Sequence, residues 1–158
     1  MTSNEFWSGK TAFSSADETW RTPKNFFEEL NDEFSFGLDA AALQCSTLVL
    51  DNWLGPDHED PTRRDCLTVD WSELTDKSVF MNPPYSRGIG KFIEKASSFP
   101  QLTIVCLIPA RTDTSWFHDF IFGKNAEVRF LRGRLKFNDG PNPAPFPSAV
   151  VIFNPHGY

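Results

Sequence analysis

No apolar stretch of this chain is long enough to cross a bilayer. The longest, Leu102 to Ile108 and Ala149 to Phe153, fall far short of the roughly 20 residues that a spanning helix needs. The sequence does not open on the basic-then-apolar pattern of a secretory signal, so a soluble, cytosolic protein without membrane association is expected. Cysteine is scarce: Cys45, Cys66 and Cys106 lie far apart with no CxxC spacing, which excludes a disulfide framework and points to reduced structural thiols. The histidines His58, His118 and His156 show no paired spacing. The cluster Asp57-His58-Glu59-Asp60 therefore reads as a solvated loop, and no metal is expected. Positive charge is also short, with a formal net charge of −6. That balance excludes a protein that coats nucleic acid nonspecifically, because neutralising phosphates takes a basic surface.

What the chain does carry is apolar and aromatic. At 158 residues, 40% hydrophobic and with 16 phenylalanines, it can bury a core of its own. Residues 1–18 are rich in Ser and Thr without a period and read as a flexible arm; residues 19–158 read as one domain. The charge is uneven. Between Arg111 and Lys136 six basic residues face three acidic ones, a local +3 that leaves −9 for the rest, as suits an enzyme touching a polyanion on one side. An ordinary solvated surface explains the same count equally well.

Hydrophobic periodicity places the elements. Thr22 reads as an N-cap with Pro23 at the first helical position, and Phe26, Leu30 and Phe34 fall on one face of the helix that follows. Phe36-Gly37-Leu38-Asp39 is an apolar stub ending in a carboxylate, trailed by Ala40-Ala41-Ala42. Residues 43–71 give only loop signals around at most one short element. Val79-Phe80-Met81 reads as a buried strand, and Ile89, Phe92, Ile93 and Ala96 as the apolar face of the next helix. Leu102 to Ile108 is a second buried strand. Trp116, Phe117, Phe120 and Ile121 mark another helix, capped by Thr112 or Asp113. Val128 to Leu131 and Leu135 to Phe137 read as a hairpin around Arg132-Gly133-Arg134, and Ala149 to Phe153 as a final strand. Helices alternating with apolar strands imply an α/β, Rossmann-like fold with a mostly parallel sheet and a late antiparallel edge. Ligands of such sheets sit beyond the carboxyl ends of the strands, where Asp39, Asn82 and Pro109 fall.

The most informative stretch is Asn82-Pro83-Pro84-Tyr85, set between a strand and a helix. Two prolines fix the backbone and remove two amide donors, leaving mainly acceptors. An aromatic amine such as adenine N6 is a poor nucleophile because its lone pair is delocalised into the ring. A site that methylates it must accept hydrogen bonds from both N–H groups as the nitrogen pyramidalises, and the Asn82 side-chain oxygen with the Pro83 carbonyl can do so. Tyr85 offers a face on which the base can stack. The nitrogen becomes acidic once methylated, so no strong base is needed. A bare proline turn with a capping asparagine is the structural alternative.

Asn82-Pro83-Pro84-Tyr85 resembles the (D/N)PP(Y/F) motif of amino-methyltransferases. With Thr22-Pro23 and Phe26-Phe27, Leu38-Asp39-Ala40-Ala41-Ala42, Asp70-Trp71, Ile108-Pro109-Ala110-Arg111-Thr112-Asp113 with Trp116-Phe117, and Phe130 to Phe137, the chain resembles the phage-type DNA N6-adenine methyltransferases from about residue 20 to 154. The resemblance implies S-adenosylmethionine as cofactor, double-stranded DNA as partner, an adenine flipped out of its pair, a role in phage or prophage DNA modification or restriction-modification, and no obligate protein partner. It implies that Thr22, with Pro23, holds the methionine end of the cofactor, that Asp39 and Ala40 lie beside its amino or sugar portion, and that Asp70 approaches its adenine amino group. Asp51 is a further candidate for the ribose. No Gly-x-Gly turn follows the first strand, and no sizeable separate target-recognition domain is expected, so base reading is expected from loops. Arg111, Arg132, Arg134, Lys136 and the proline-rich loop at 141–147 are the candidates for touching DNA, with Phe137 either packing on the extruded base or serving the core. Methylation of RNA adenine or protein glutamine, and a DNA-binding module without catalysis, remain the alternatives.

Overall fold

The computed structural model describes residues 20–155, so the arm expected over residues 1–18 lies outside the described residues. The chain runs α1 (Lys24–Phe34), β1 (Phe36–Asp39), β2 (Ser78–Met81), α2 (Ile89–Ser97), β3 (Ile104–Pro109), α3 (Ser115–Phe120), β4 (Ala126–Phe130) and β5 (Ser148–Phe153), with 3-10 turns at Pro61–Arg63, Trp71–Glu73 and Phe137–Asp139. The strands form one mixed sheet in the order β1-β2-β3-β5-β4. β1, β2 and β3 are parallel, and β5 is antiparallel to both of its neighbours. β4 therefore runs in the same direction as the first three.

The alternation of side chains along the strands builds two apolar layers. Val79 and Met81, Ile104, Cys106 and Ile108, and Ala149, Val151 and Phe153 face α2 and α3, meeting Ile89, Phe92, Ile93, Ala96, Trp116, Phe117 and Ile121. Phe80, Val105, Leu107, Val150 and Ile152 face the other way, onto Phe27 and Leu30 of α1. Phe36 and Leu38 break the rule, because they belong to opposite layers. A register shift lies between them, at Gly37, where a Cβ would come within 2.2 Å of the Thr75 hydroxyl oxygen.

The antiparallel strand is not at the edge, and the expected hairpin takes another form. All six residues of β5 are buried, whereas β4 is half-buried over Ala126 to Arg129 and exposed at Phe130. The fully apolar strand gains most from the interior position and takes it, leaving the charged β4 as the edge. Leu135–Phe137 is consequently no strand: it lies in the connection from β4 to β5, where Phe137 opens a 3-10 turn and is buried.

Two helix starts also differ from expectation. Helix α1 begins at Lys24, with Pro23 as a cap that makes no side-chain bond; the Thr22 hydroxyl is turned elsewhere, and Asp139 supplies the acceptor for the Lys24 N–H at 3.1 Å. Helix α3 is capped by Thr114, not Thr112 or Asp113, because Thr114 alone stands three residues before the free N–H of Phe117, which it accepts at 3.4 Å.

The stretch with weak signals is held by polar pins and one close approach. The Asn52 side-chain amide donates to the Gly37 and Leu74 carbonyls at 2.7 and 3.0 Å, and Arg63 donates to the Asn52 oxygen at 2.8 Å. Trp71 is fully buried and donates to the Cys66 carbonyl at 2.9 Å. Members of the acidic cluster serve local turns: Asp60 caps Pro61–Arg63, and Asp57 accepts from the Gln44 N–H at 3.0 Å. Beyond β1, the Ala42 N–H donates to the Leu54 carbonyl and the Leu54 N–H to the Asp39 carbonyl, each at 2.9 Å. At Gly55 a Cβ would stand 1.7 Å from the Ala42 carbonyl oxygen. We expect Gly55→Ala to destabilise the fold by about 1–3 kcal/mol, seen as a lower urea midpoint at unchanged slope.

Candidate active site

Among the described residues, three buried side-chain oxygens have no hydrogen-bond partner: Asp39 Oδ1, Asn82 Oδ1 and Ser148 Oγ. All three lie at one end of the sheet. Asp39 ends β1, Asn82 follows β2, and Ser148 pairs with Pro109 at the end of β3. Buried polar groups almost always find partners, and those that do not call for a reason. Two of the three, Asp39 and Asn82, line the same cleft, of about 490 Å3 with solvent at its mouth included; Trp20, Thr22, Ala41, Ala42, Pro83 and Tyr85 also line it.

Asn82 is oriented by its surroundings. Its Nδ2 donates to the Trp20 carbonyl at 2.7 Å and to the Thr22 hydroxyl at 3.0 Å. A carbonyl can only accept, so the amino end of the amide must face Trp20 and Oδ1 must face away. The side chain thus presents an acceptor to the cleft. Pro83 and Pro84 offer no N–H beside it. Tyr85 donates its hydroxyl to the Leu107 carbonyl at 3.0 Å, and burial, followed by the nearby Cys106, pushes that phenol well above its ordinary value. The ring of Tyr85 meets those of Phe146 and Phe137 edge-on at 5.6 and 6.1 Å. Phe137 is thereby a buried backing for Tyr85 and does not present a free surface to a base.

Asp39 is 3% exposed. Its Oδ2 accepts from the Leu48 N–H at 3.3 Å and from the Thr47 hydroxyl at 3.4 Å. Burial dominates and pushes the carboxyl up to about 7; the Leu48 N–H, the nearby Ala41 N–H and the Thr47 hydroxyl oppose the rise in that order. Ala40, fully buried, gives its N–H to the Phe80 carbonyl at 2.8 Å, so the cleft wall is formed by Ala41 and Ala42 instead. The small side chains permit close approach where no Gly-x-Gly turn exists.

The structure does not bring Asp51 or Asp70 into this cleft. Asp51 is exposed in a turn. Asp70 is exposed and caps Trp71–Glu73, accepting from the Ser72 hydroxyl at 2.6 Å and its N–H at 3.0 Å, bonds that lower its pKa. Of the basic cluster, Arg129 is held by Glu33 at 2.7 Å and by Glu127, and Lys124 precedes β4, at the far end of the sheet. Arg111, following β3, and Arg132, Arg134 and Lys136, following β4, are exposed and emerge at the cleft end. Sequence reasoning missed Trp20 and Ser148. Trp20 acts through its backbone carbonyl, for which no residue type is a signal; Ser148 is buried because β5 lies inside the sheet.

The Asp39 carboxyl, with a folded pKa near 7 against an ordinary 3.8, binds its proton more tightly when folded. Its contribution to stability is fully present below the lower value and is lost as pH rises through the upper one. We expect Asp39→Asn to match wild type at about pH 4 and to become progressively the more stable protein up to about pH 7, with a constant gap above, in urea unfolding read across that range.

Among the described residues no helix is long and apolar enough to cross a membrane, and no group of three potential metal-ligating side chains is found. No curated protein matches the chain. The family described as DNA N-6-adenine-methyltransferase (Dam) matches it over residues 9–150, which takes in the whole cleft and every strand up to the middle of β5. The chain belongs to the DNA N-6-adenine-methyltransferase (Dam) family, and that membership makes it a DNA adenine-N6 methyltransferase.

Proposed function

We propose that the protein transfers a methyl group from S-adenosylmethionine to N6 of an adenine extruded from double-stranded DNA, on a Rossmann-like sheet, in modification of phage or prophage DNA. The observation that carries this reading is the buried, partnerless Asn82 Oδ1, locked as an acceptor at the cleft. A buried carboxylate oxygen without a partner in the same cleft, Asp39 Oδ1, supports the cofactor, since it suits the ribose hydroxyls or ammonium of that molecule, all of them donors. Thr22, which lines the same cleft and accepts from Asn82 Nδ2, is the candidate for the methionine end.

When bound, S-adenosylmethionine supplies a methyl group on a sulfonium; transfer breaks the sulfur–carbon bond, forms the nitrogen–carbon bond and releases one N6 proton. The protein's part is to make the nitrogen nucleophilic and to hold it. Asn82 Oδ1 and the Pro83 carbonyl accept the two N–H groups, drawing the lone pair out of the ring and stabilising the positive charge that develops. Tyr85, backed by Phe137 and Phe146 and tethered to Leu107, holds the plane of the base. Because N6 takes part in Watson–Crick pairing, the base must leave the duplex to reach this pocket. Arg111, Arg132, Arg134 and Lys136, all exposed at the cleft end, meet the phosphates.

The test is transfer of radiolabelled methyl to unmethylated DNA, RNA and a protein extract. Label confined to DNA as N6-methyladenine, and reduced about 10²–10³-fold by Asn82→Ala, supports the reading; label in RNA or protein alone refutes the substrate, and absence of cofactor binding refutes the chemistry. Replacing Arg132 and Arg134 together by alanine is expected to reduce the slope of log affinity against log salt by roughly 2, measured by fluorescence anisotropy with duplex DNA.

A further inference from the structure

The partner of Asn82 is itself held from a distance. Arg21, next to Trp20, pairs with Asn138: the Asn138 N–H donates to the Arg21 carbonyl at 2.9 Å, and the Arg21 N–H donates to Asn138 Oδ1 at 2.8 Å, with the Arg21 Nε–H reaching the same oxygen at 3.4 Å. One residue on, Asp139 takes the first N–H of α1, a carboxylate at a positive helix end. The Trp20 ring lies edge-on against Phe146 and Phe137 at 5.2 and 5.6 Å, the same two rings that back Tyr85. Residues 20–22 thus form a strap pinned on one side by the β4–β5 connection and on the other by Asn82.

The turn that does the pinning is strained. Asn138 and Asp139 both adopt left-handed backbone, φ 63° and 52°, which residues with a Cβ enter at a cost and which therefore invites a functional explanation. Simple chain reversal does not call for the Asn138 side chain, since glycine would hold the same backbone more easily. What asparagine adds is Oδ1, the acceptor that closes the pair with Arg21.

We propose that Asn138 is a positioning residue for methyl transfer: by holding Arg21 in a paired arrangement it fixes the Trp20 carbonyl against Asn82 Nδ2 and so keeps Oδ1, not the amino group, directed at the target amine. Without that clamp the Asn82 amide keeps only the Thr22 hydroxyl at 3.0 Å, a group that can donate as well as accept and so does not fix which end of the amide faces the target amine. Asn138 touches neither substrate nor cofactor and acts only through the strap. Its neighbours in the same connection, Arg132, Arg134 and Lys136, are the residues assigned to the phosphates, so the connection links DNA contact to the acceptor geometry. The inference rests on the proposed role of Asn82.

Three proteins test it: wild type, Asn138→Gly, which keeps the left-handed backbone and removes the acceptor, and Asn138→Asp, which retains an oxygen for Arg21. The first readout is independent of activity: the side-chain amide resonances of Asn82 in a 15N-labelled sample, assigned by their loss in Asn82→Asp. In wild type and Asn138→Asp both Asn82 amide protons are expected to be protected from exchange with solvent; in Asn138→Gly the protection falls about tenfold. The second is the kcat–KM split, with kcat falling about tenfold in Asn138→Gly, KM for DNA and cofactor unchanged, and Asn138→Asp restoring kcat. Unchanged Asn82 protection in a folded Asn138→Gly overturns the proposal whatever the enzyme's substrate proves to be. Should Asn138→Gly fail to fold, Asn138→Asp decides: wild-type protection and kcat support the clamp, and their loss in a folded protein overturns it. Loss of transfer by Asn82→Ala without loss by Asn138→Gly sinks the clamp alone; transfer by wild type that Asn82→Ala leaves intact sinks the reading of Asn82 itself.

Discussion

The hydrogen bond from Asn82 Nδ2 to the Trp20 carbonyl, at 2.7 Å, decides what the cleft can do. An asparagine amide has a donor end and an acceptor end, and only its environment settles which one faces a ligand. Here a carbonyl, which cannot donate, claims the donor end. The acceptor end is left buried and partnerless, a costly state that a ligand donating a hydrogen bond would relieve. Around this one bond the structure joins segments far apart in sequence: the entry to α1, the end of β2 and the connection between β4 and β5.

The sheet explains why these segments meet. Three parallel strands put Asp39, Asn82 and Pro109 at a common end, and placing β5 between β3 and β4 turns β4 parallel to them. The connection leaving β4 therefore emerges over the cleft, carrying exposed arginines on one stretch and Phe137, Asn138 and Phe146 on the next. A terminal hairpin at the edge would have put that connection over the cleft too, but without a buried strand returning beneath it to anchor both ends. Asp39 shows the same economy in the same cleft. Burial makes its charge expensive, and a ligand donating hydrogen bonds to Oδ1 would lower that expense, so ligand binding and proton release are linked at this residue.

Much of this was legible in the residues, and the exceptions share a cause. The apolar face of α2 announces itself because burial along a helix has a period, with Ile89, Phe92, Ile93 and Ala96 all in the core, and β3 and β5 announce themselves as continuous apolar runs buried throughout. Asn82-Pro83-Pro84-Tyr85 stands out because two prolines after an apolar strand leave few other uses. The errors came where tertiary partners override local chemistry. Thr22 looks like a helix cap, yet its hydroxyl serves Asn82, since Asp139 arrives from the far end of the chain to take the helix N–H. Leu135 to Phe137 alternates like a strand, but the better apolar strand at 148–153 takes the partner it would need. The structure leaves Asp51 and Asp70 exposed in turns outside the cleft, and nothing in their local sequence announces that placement. The 43–71 stretch has no period to find, because Asn52, Arg63 and the approach of Gly55 to Ala42 hold it.

The most direct test is a structure of the protein with a non-reactive S-adenosylmethionine analogue and DNA carrying an unmethylated adenine. The account predicts the adenine outside its pair, N6 within about 2.7–3.2 Å of both Asn82 Oδ1 and the Pro83 carbonyl, and Asn82 Nδ2 still bonded to the Trp20 carbonyl. An amine held elsewhere, or an Asn82 whose amino group faces the base, would contradict it.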